Sequence, residues 1–417
     1  MDASVEAAVA EAHRAEWGFV LAATLRVAGD IDVAEECVQD AYAKALASWP
    51  KAGVPRSPGA WLTTVARRRA LDVLRRRSAN DRLAPLVAEA ATTDVDEVET
   101  VVEADMVEVA DDRLRLIFTC CHPSIAYEAQ VALTLRLVCG LATSEVARAF
   151  LVSEPTMAAR LTRAKKKIAA ARIPYRVPSV DELPTRIDAV LSVVHLIFTT
   201  GHTAPAGADL VRQDLVERAL ELARTLASLL TDDAHVAGLL ALILLTDARR
   251  AARLDERGVL VLLADQDRAA WDRAAITEGV GLVRRALACR PPGRFALMAA
   301  IAAVHAQSPS WEATDWSEIV GLYDLLVQIW PSPVVALNRA VAVGLAAGPE
   351  AGLAALDALA TEPILAGYSY LAASRADFLR RLGHTAEARL AYEEAHLLSD
   401  NDVERAFLAG RLRQLGD

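Results

Sequence analysis

Aromatic residues are scarce in this chain of 417 residues, with seven Trp, seven Tyr and seven Phe. Runs of β-branched and aromatic residues are correspondingly rare, which argues against sheets. A 53% hydrophobic content, with Ala and Leu throughout, fits a nearly all-helical (all-α) protein. Cysteine is also sparse. Cys37, Cys120, Cys121, Cys139 and Cys289 show none of the paired spacings of a zinc site or a disulfide framework. The adjacent Cys120, Cys121 and His122 are open to a metal or redox reading, but small residues packed at an apolar helix end are the commoner case, so no metal or cofactor is expected. Long apolar runs are missing too. The longest, Val236 to Leu245, is too short to span a bilayer, and the first residues lack the basic-then-apolar pattern of a secretory signal. A cytoplasmic protein is expected. No set of acid, base, nucleophile or metal ligands converges in the sequence, so an enzyme is not expected. The length fits two or three domains with sizeable cores.

The net charge of −10 is unusual for a nucleic-acid binder, but the charges are segregated. Arg67, Arg68, Arg69, Arg75, Arg76 and Arg77 stand against the single Asp72, and the stretch from Ser153 to Arg176 is similarly basic. Between these blocks, Asp94 to Asp112 carries Asp94, Asp96, Glu97, Glu99, Glu103, Asp105, Glu108, Asp111 and Asp112 with no basic residue. Local fields outweigh the sum.

The most informative segment runs from Ser153 to Arg172. Ser153 is a good N-cap, and Pro155 falls in the first turn, where its missing N–H costs nothing. Met157, Leu161, Ala164 and Ile168 recur at helical steps and predict a buried stripe. Arg160, Arg163, Lys165, Lys166 and Lys167 cover much of the rest. A short amphipathic helix from Thr143 to Phe150, with Val146, Ala147 and Phe150 inward, precedes it by the connection Leu151 to Glu154. Two helices so tightly joined make a helix-turn-helix, whose second member enters the major groove. A basic surface helix of an ordinary bundle is the alternative on charge alone.

Toward the N-terminus, Val9, Trp17, Val20, Leu21 and Leu25 lie in helical segments that Gly29 interrupts. Asp30 to Asp32 supply the start of a helix with Val33, Cys37, Ala41, Ala45 and Leu46 at helical spacing, and its outward face carries Glu35, Glu36, Gln39 and Asp40. A loop from Pro50 to Gly59 follows. Trp61 then opens a helix with Leu62, Val65, Ala66, Leu71 and Leu74 as its core side.

Gly29-Asp30, Ala34-Glu35, Val38-Gln39-Asp40-Ala41-Tyr42 and Ala45, followed by Trp61-Leu62, Ala66-Arg67, Ala70-Leu71-Asp72 and Arg75-Arg76-Arg77, resemble conserved region two of extracytoplasmic-function sigma factors. Gly140-Leu141, Glu145-Val146-Ala147 and Val152-Ser153 to Ile168 resemble their region four. The resemblance implies that Asp32, Glu35, Glu36, Gln39 and Asp40 bind core RNA polymerase at the beta-prime clamp, with the beta flap as a further contact; an exposed acidic face suits a basic partner, though most such faces are simply solvated. It implies that the Trp61 helix melts and holds the minus-ten element of promoter DNA. The Lys51 to Ser57 loop would receive an extruded base, and Arg67, Arg68, Arg69, Arg75, Arg76 and Arg77 would clamp the strand. Glu154, Thr156, Arg160 and Arg163 would read the minus-thirty-five element, with Lys165, Lys166 and Lys167 on phosphates. The acidic linker would mimic nucleic acid in a basic channel; a solubilising tether is the alternative. Three positions depart from the pattern: Arg68 replaces Asn, Ala142 replaces a capping Ser or Thr, and Leu151 replaces a turn Gly and would be strained at positive φ.

The resemblance ends near Ile173. Past Pro174, Pro178 and Pro184, helices are expected from Arg186 to Phe198, Leu210 to Leu230, Ala234 to Leu254 and Trp271 to Cys289, with a polar loop from Thr199 to Asp209. His195 and His202 lack a partner cluster and read as packing and loop residues. Ala376, Gly383, Ala388, Tyr392 and Ala395 fall at the spacings of a tetratricopeptide repeat, and Ala340, Ala347, Gly352, Leu356 and Leu359 approximate it one repeat earlier. The expected organisation is therefore region two over 1–80, acidic linker over 81–110, region four over 111–175 and a helical regulatory extension over 176–417, with repeats near 336–410. The whole arrangement resembles the sigma-factor subgroup with a fused helical, tetratricopeptide-like extension, and that resemblance implies an alternative sigma factor controlled by its own extension, which leaves room for a signalling partner of that extension. A DNA-binding regulator that does not replace a sigma subunit is the other reading.

Overall fold

The computed structural model describes residues 3–81, 112–150, 152–179 and 181–415. The fold is all-α, with two described strands of two residues each, Ala206–Gly207 and Asp400–Asn401, paired in parallel. Leu151 and the acidic stretch from Asp94 to Asp111 lie outside the described residues, as does the side chain of Arg77. The chain forms two compact units, Met1–Val193 and Val194–Asp417.

The first unit begins with three packed helices, α1 (Ala3–Ala28), α2 (Ile31–Ala52) and α3 (Pro58–Asp81). Gly29 joins the first two at φ 67°, a left-handed value that a side chain would strain. Asp30 then caps α2, its Oδ1 accepting from the Val33 N–H at 3.0 Å. Val20, Leu21, Val38, Ala41, Leu62 and Ala66 are buried between the helices, each large aliphatic contributing about 1.5–3 kcal/mol. The loop expected from Pro50 is shorter than the sequence implied, because Pro50 stays within the last turn of α2. Trp49, buried edge-on against Trp61 with ring centroids 5.5 Å apart, anchors that turn. The loop is thus 53–57, and Pro58 rather than Trp61 opens α3.

Helical residues 112–120 (α4), α5 (Tyr127–Leu133), a π-helical turn at Thr134–Val138, α6 (Thr143–Ala149) and α7 (Glu154–Ala170) complete the unit together with the first part of α8 (Leu183–His202). Leu116, Ile117, Phe118, Leu133 and Leu137 form their core. Arg186 of α8 donates to the Phe118 carbonyl, and the Tyr127 hydroxyl donates to the Ser192 carbonyl at 2.9 Å. Close approach of α1 to the π turn depends on two glycines. A Cβ at Gly18 would meet the Val138 carbonyl, and one at Gly140, where φ is 72°, would meet the Trp17 ring.

In the second unit, α10 (Ala234–Asp247) is buried from Val236 through Leu245, which explains its uninterrupted apolar sequence. It packs against α9 (Gln213–Leu229), α11 (Arg273–Ala288) and α12 (Arg294–Gln307). α13 (Trp316–Ile329), α14 (Pro333–Ala347), α15 (Pro349–Asp357), α16 (Ser369–Arg381), α17 (Thr385–Leu398) and α18 (Asp402–Gln414) follow, each packed on its predecessor. Gly344 and Gly352 leave the space that the Phe378 ring fills, while Ala376, Ala388, Tyr392 and Ala395 are buried between α16 and α17. The polar loop begins later than expected, since α8 continues to His202. Ring contacts of His202 with Phe198, centroids 5.3 Å apart, and its burial keep this residue in the core. Fully buried Asn401 closes the unit. Its amide donates to the carbonyls of Ala204 and Asp209 at 3.1 and 2.9 Å, and its carbonyl caps α18.

Candidate nucleic-acid interface

Local chemistry fixes the start of α7. The Ser153 hydroxyl accepts from the Thr156 N–H at 3.3 Å, and Pro155 occupies the first turn. Met157, Leu161, Ala164 and Ile168 are buried as the spacing predicts. Glu154, Thr156, Arg163, Lys166 and Lys167 are exposed. Arg160 is half-buried, with its guanidinium 5.4 Å from the centre of the Phe150 ring and 4.0 Å from Glu128. The preceding helix α6 solves its missing cap differently from the family pattern. Where Ala142 cannot cap, the Glu145 carboxylate reaches back to accept from the Ala142 N–H at 2.6 Å, half of a capping box.

Two expected site residues are placed otherwise than the sequence reading had them. Lys165 does not project with its neighbours. Its ammonium pairs with Asp32 at 2.8 Å and with Glu35, both on α2. Those two carboxylates hold its pKa above the usual lysine value although burial opposes this. Glu35 is likewise not on an outward face but 5% exposed, because Arg136 pairs with it at 2.9 Å from the other side. Arg136 also lies 5.4 Å from the Trp17 ring centre and donates to the Leu141 carbonyl. One buried carboxylate of the N-terminal bundle thus holds two cations from later elements, Arg136 on the π-helical turn and Lys165 on α7. Asp32, Glu36, Gln39 and Asp40 remain exposed as expected.

Among the arginines of α3, Arg68, Arg75 and Arg76 are exposed, and Arg69 pairs with Asp40 at 2.8 Å, which raises its pKa. Arg67 is half-buried and donates to the Ala23 carbonyl at 3.4 Å. Near it lies Asp112, the one acid of the acidic stretch within the described residues, fully buried against Arg26 and Arg115. Burial raises the Asp112 pKa despite those cations. The Tyr175 hydroxyl ties the same region together, donating within reach of both the Ala22 and Asp112 carbonyls at 2.8 and 2.9 Å. Cys120 and Cys121 are buried, and burial pushes the Cys121 thiol up to about 12, so both are protonated packing residues near neutral pH.

A helical bundle followed by a helix-turn-helix with a basic second helix is the arrangement of a sigma-70-type transcription initiation factor, and the sequence matches follow the same order. Residues 14–80 match Sigma-70 region 2, residues 115–168 match Sigma-70, region 4, and residues 186–287 match a family of unknown function (DUF6596). An uncharacterized protein of Rhizobium meliloti (strain 1021) is 42% identical over 398 residues, covering 95% of this chain and 93% of that protein. The chain belongs to the extracytoplasmic-function type of the sigma factor family. Sigma factors of this kind are DNA-binding transcription initiation factors, not enzymes, and they interact with core RNA polymerase and promoter DNA. No described helix is long and apolar enough to cross a membrane.

Proposed function

We propose that this chain directs promoter-specific initiation through a contact between its two sigma regions that opens on the polymerase, and that residues 176–417, with their tetratricopeptide-like hairpins, regulate this step. The observation that carries the reading is the clasp of Lys165 and Arg136 around Glu35. In the closed arrangement the acids proposed to meet the beta-prime clamp, Asp32 and Glu35, are occupied by cations of the region-four segment. One of those cations, Lys165, is proposed to meet phosphate. A basic surface on polymerase that takes these acids releases Lys165 to DNA, and the region-four segment is freed to reach the beta flap.

On the promoter, Glu154, Thr156, Arg160 and Arg163 read the minus-thirty-five element, and Lys166 and Lys167 neutralise phosphates from the outset. Arg67, Arg68, Arg69, Arg75, Arg76 and Arg77 hold the minus-ten strand. The acids that mask Lys165 lie in region two rather than in the remainder of the chain, so a fragment lacking the extension keeps the clasp.

The test is transcription from a promoter library by core RNA polymerase with the purified protein as the only sigma factor. Specific transcripts are expected, and their amount should change when the chain is cut after Val193, which keeps the first unit whole. Retained DNA binding without transcripts overturns the sigma assignment, and identical transcripts from full and cut chains overturn regulation by the extension.

A further inference from the structure

The second unit contains a cavity of about 340 Å³ between α10, α12, α13, α14 and the segment 248–272. Its size lies at the low end of small-molecule sites. It has room for on the order of ten non-hydrogen atoms. Leu242, Leu245, Met298, Ile301 and Leu326 supply apolar walls. Arg249, Tyr323, His305 and Asn338 supply polar ones.

Arg249 is the unusual member. Every neighbouring arginine has a partner. Arg250 pairs with Asp247, Arg253 donates to the His202 carbonyl and to Thr203 Oγ1 at 3.0 Å, and Arg268 donates to the carbonyls of His305 and Ser308 at 2.7 and 2.8 Å. Among the described residues no carboxylate pairs with Arg249, and the like charge of Arg253 acts on it. Burial pushes its pKa down to about 10, so it stays a cation near neutral pH. His305 is held to about 4 by burial beside Arg249 and Arg268, and is neutral. Tyr323 is raised to about 12 by burial and keeps its proton. The wall also carries buried polar atoms with no hydrogen-bond partner, Trp271 Nε1 and His305 Nδ1. Arg249 is half-buried at the cavity wall, and a cation so placed is ordinarily paired with a carboxylate.

We propose that this cavity is a binding site for a small monocarboxylic acid, with Arg249 holding the carboxylate and the leucine, methionine and isoleucine walls holding an apolar body. One guanidinium matches one carboxylate in a bidentate pair, and the phenol of Tyr323 and the amide of Asn338 are neutral donors at the same cavity. The inference stands on the geometry of the second unit. It is independent of promoter recognition and is tested without polymerase.

The experiment titrates the full-length protein with butyrate, hexanoate and benzoate, and with the neutral analogue hexanamide, by calorimetry and by thermal unfolding. At least one carboxylate is expected to bind and raise the unfolding midpoint, with the amide about tenfold to a hundredfold weaker than its acid, the range for a charge-assisted bond. Arg249→Met should erase the preference for acid over amide while raising the midpoint of the empty protein, since a half-buried cation with no carboxylate partner is removed. Ala302→Phe, which fills the cavity and leaves Arg249 in place, should abolish binding of both. If no carboxylate binds, if acid and amide bind alike, or if Arg249→Met keeps the preference, the proposal is overturned. The acid-against-amide comparison on the unaltered protein needs no variant to fold.

Discussion

Replacing Glu35 by Gln tests the clasp most directly. The Glu35 side chain is 7% exposed, and its partners Arg136 and Lys165 are 15% and 18% exposed. Charge-assisted bonds between groups so poorly solvated are worth about 1.5–3 kcal/mol each. Asp32 is 73% exposed, so its bond to Lys165 is largely screened and worth at most about 1 kcal/mol. Glu35→Gln keeps the shape but removes the charge from both pairs. It should therefore shift the balance toward the open form by roughly 3 kcal/mol, on the order of a hundredfold. Asp32→Asn should shift it by less than about tenfold. The assay is binding of the purified protein to its preferred promoter duplex across a salt series, with circular dichroism verifying that the helices persist. Glu35→Gln should bind more tightly, and its log affinity should fall more steeply with log salt, by about 0.9, because one more phosphate is neutralised. Unchanged affinity and slope in Glu35→Gln, with Lys166→Ala weakening binding in the same assay, would refute the clasp.

Three further outcomes are expected. Arg160→Ala should weaken binding selectively at the preferred promoter, whereas Lys166→Ala should weaken all sequences and lower the salt slope by about 0.9; equal losses everywhere would remove Arg160 from the base-reading set. Asn401→Ala removes a helix cap and two buried hydrogen bonds at once, and should cost about 2–4 kcal/mol in denaturant unfolding of the second unit; a loss below about 1 kcal/mol would show the closure to be incidental. Burial holds His195 and His305 each to about 4, with Arg294 and Arg249 adding to it, so both are neutral when folded. Because the folded values are depressed, the stability they contribute is present above about pH 6.5 and is lost as pH falls toward 4. Each should account for about 2 kcal/mol between pH 6.5 and 5, and His195→Leu should flatten that part of the pH profile of thermal unfolding.

The start and buried stripe of α7 were legible because they depend on neighbours in sequence. A serine cap, a proline in the first turn and four apolar residues at helical steps need no distant partner. Burial of Glu35 was not read, since its cations come from residues 136 and 165, the latter 130 positions away. A signal was nonetheless present. Glu35 follows Ile31 by four and precedes Val38 by three, and Lys165 stands in the same relation to Leu161 and Ile168. Both charges therefore fall on the edges of their apolar stripes. A charge in that register points inward and needs a partner. In the second unit, helices were read at α9, α10 and α11 and repeats over α14 to α17, but α12 and α13 were not read, and the end of α10 was misplaced. The helix expected to run to Leu254 stops at Asp247, and a short 3₁₀ turn at Arg250–Ala252 brings three arginines together. Arg250 has a local partner in Asp247, three residues back, but the partners of Arg253, the His202 carbonyl and Thr203, lie about fifty positions away, so the sequence does not show which of the three is left without a carboxylate.

The clasp, if it opens as proposed, makes polymerase binding and promoter binding depend on one another. On the proposed reading, polymerase takes Asp32 and Glu35 and DNA takes Lys165, so each event requires the same contact to open. Whichever partner binds first bears the cost of opening, and the second does not. Coupling of this kind is reciprocal, so polymerase should tighten DNA binding by the same factor as DNA tightens polymerase binding. Arg136 is the residue that isolates the effect, since it holds Glu35 at 2.9 Å and belongs to neither proposed binding surface. Arg136→Met removes one of the two buried pairs and should lower the coupling by about tenfold. The gain should come chiefly in the free protein, which binds DNA more tightly once opening is easier, while DNA binding by the polymerase-bound form changes little. If Arg136→Met leaves the ratio of the two DNA affinities as it was, the two regions are not linked through Glu35, and the contact serves only to stabilise the first unit.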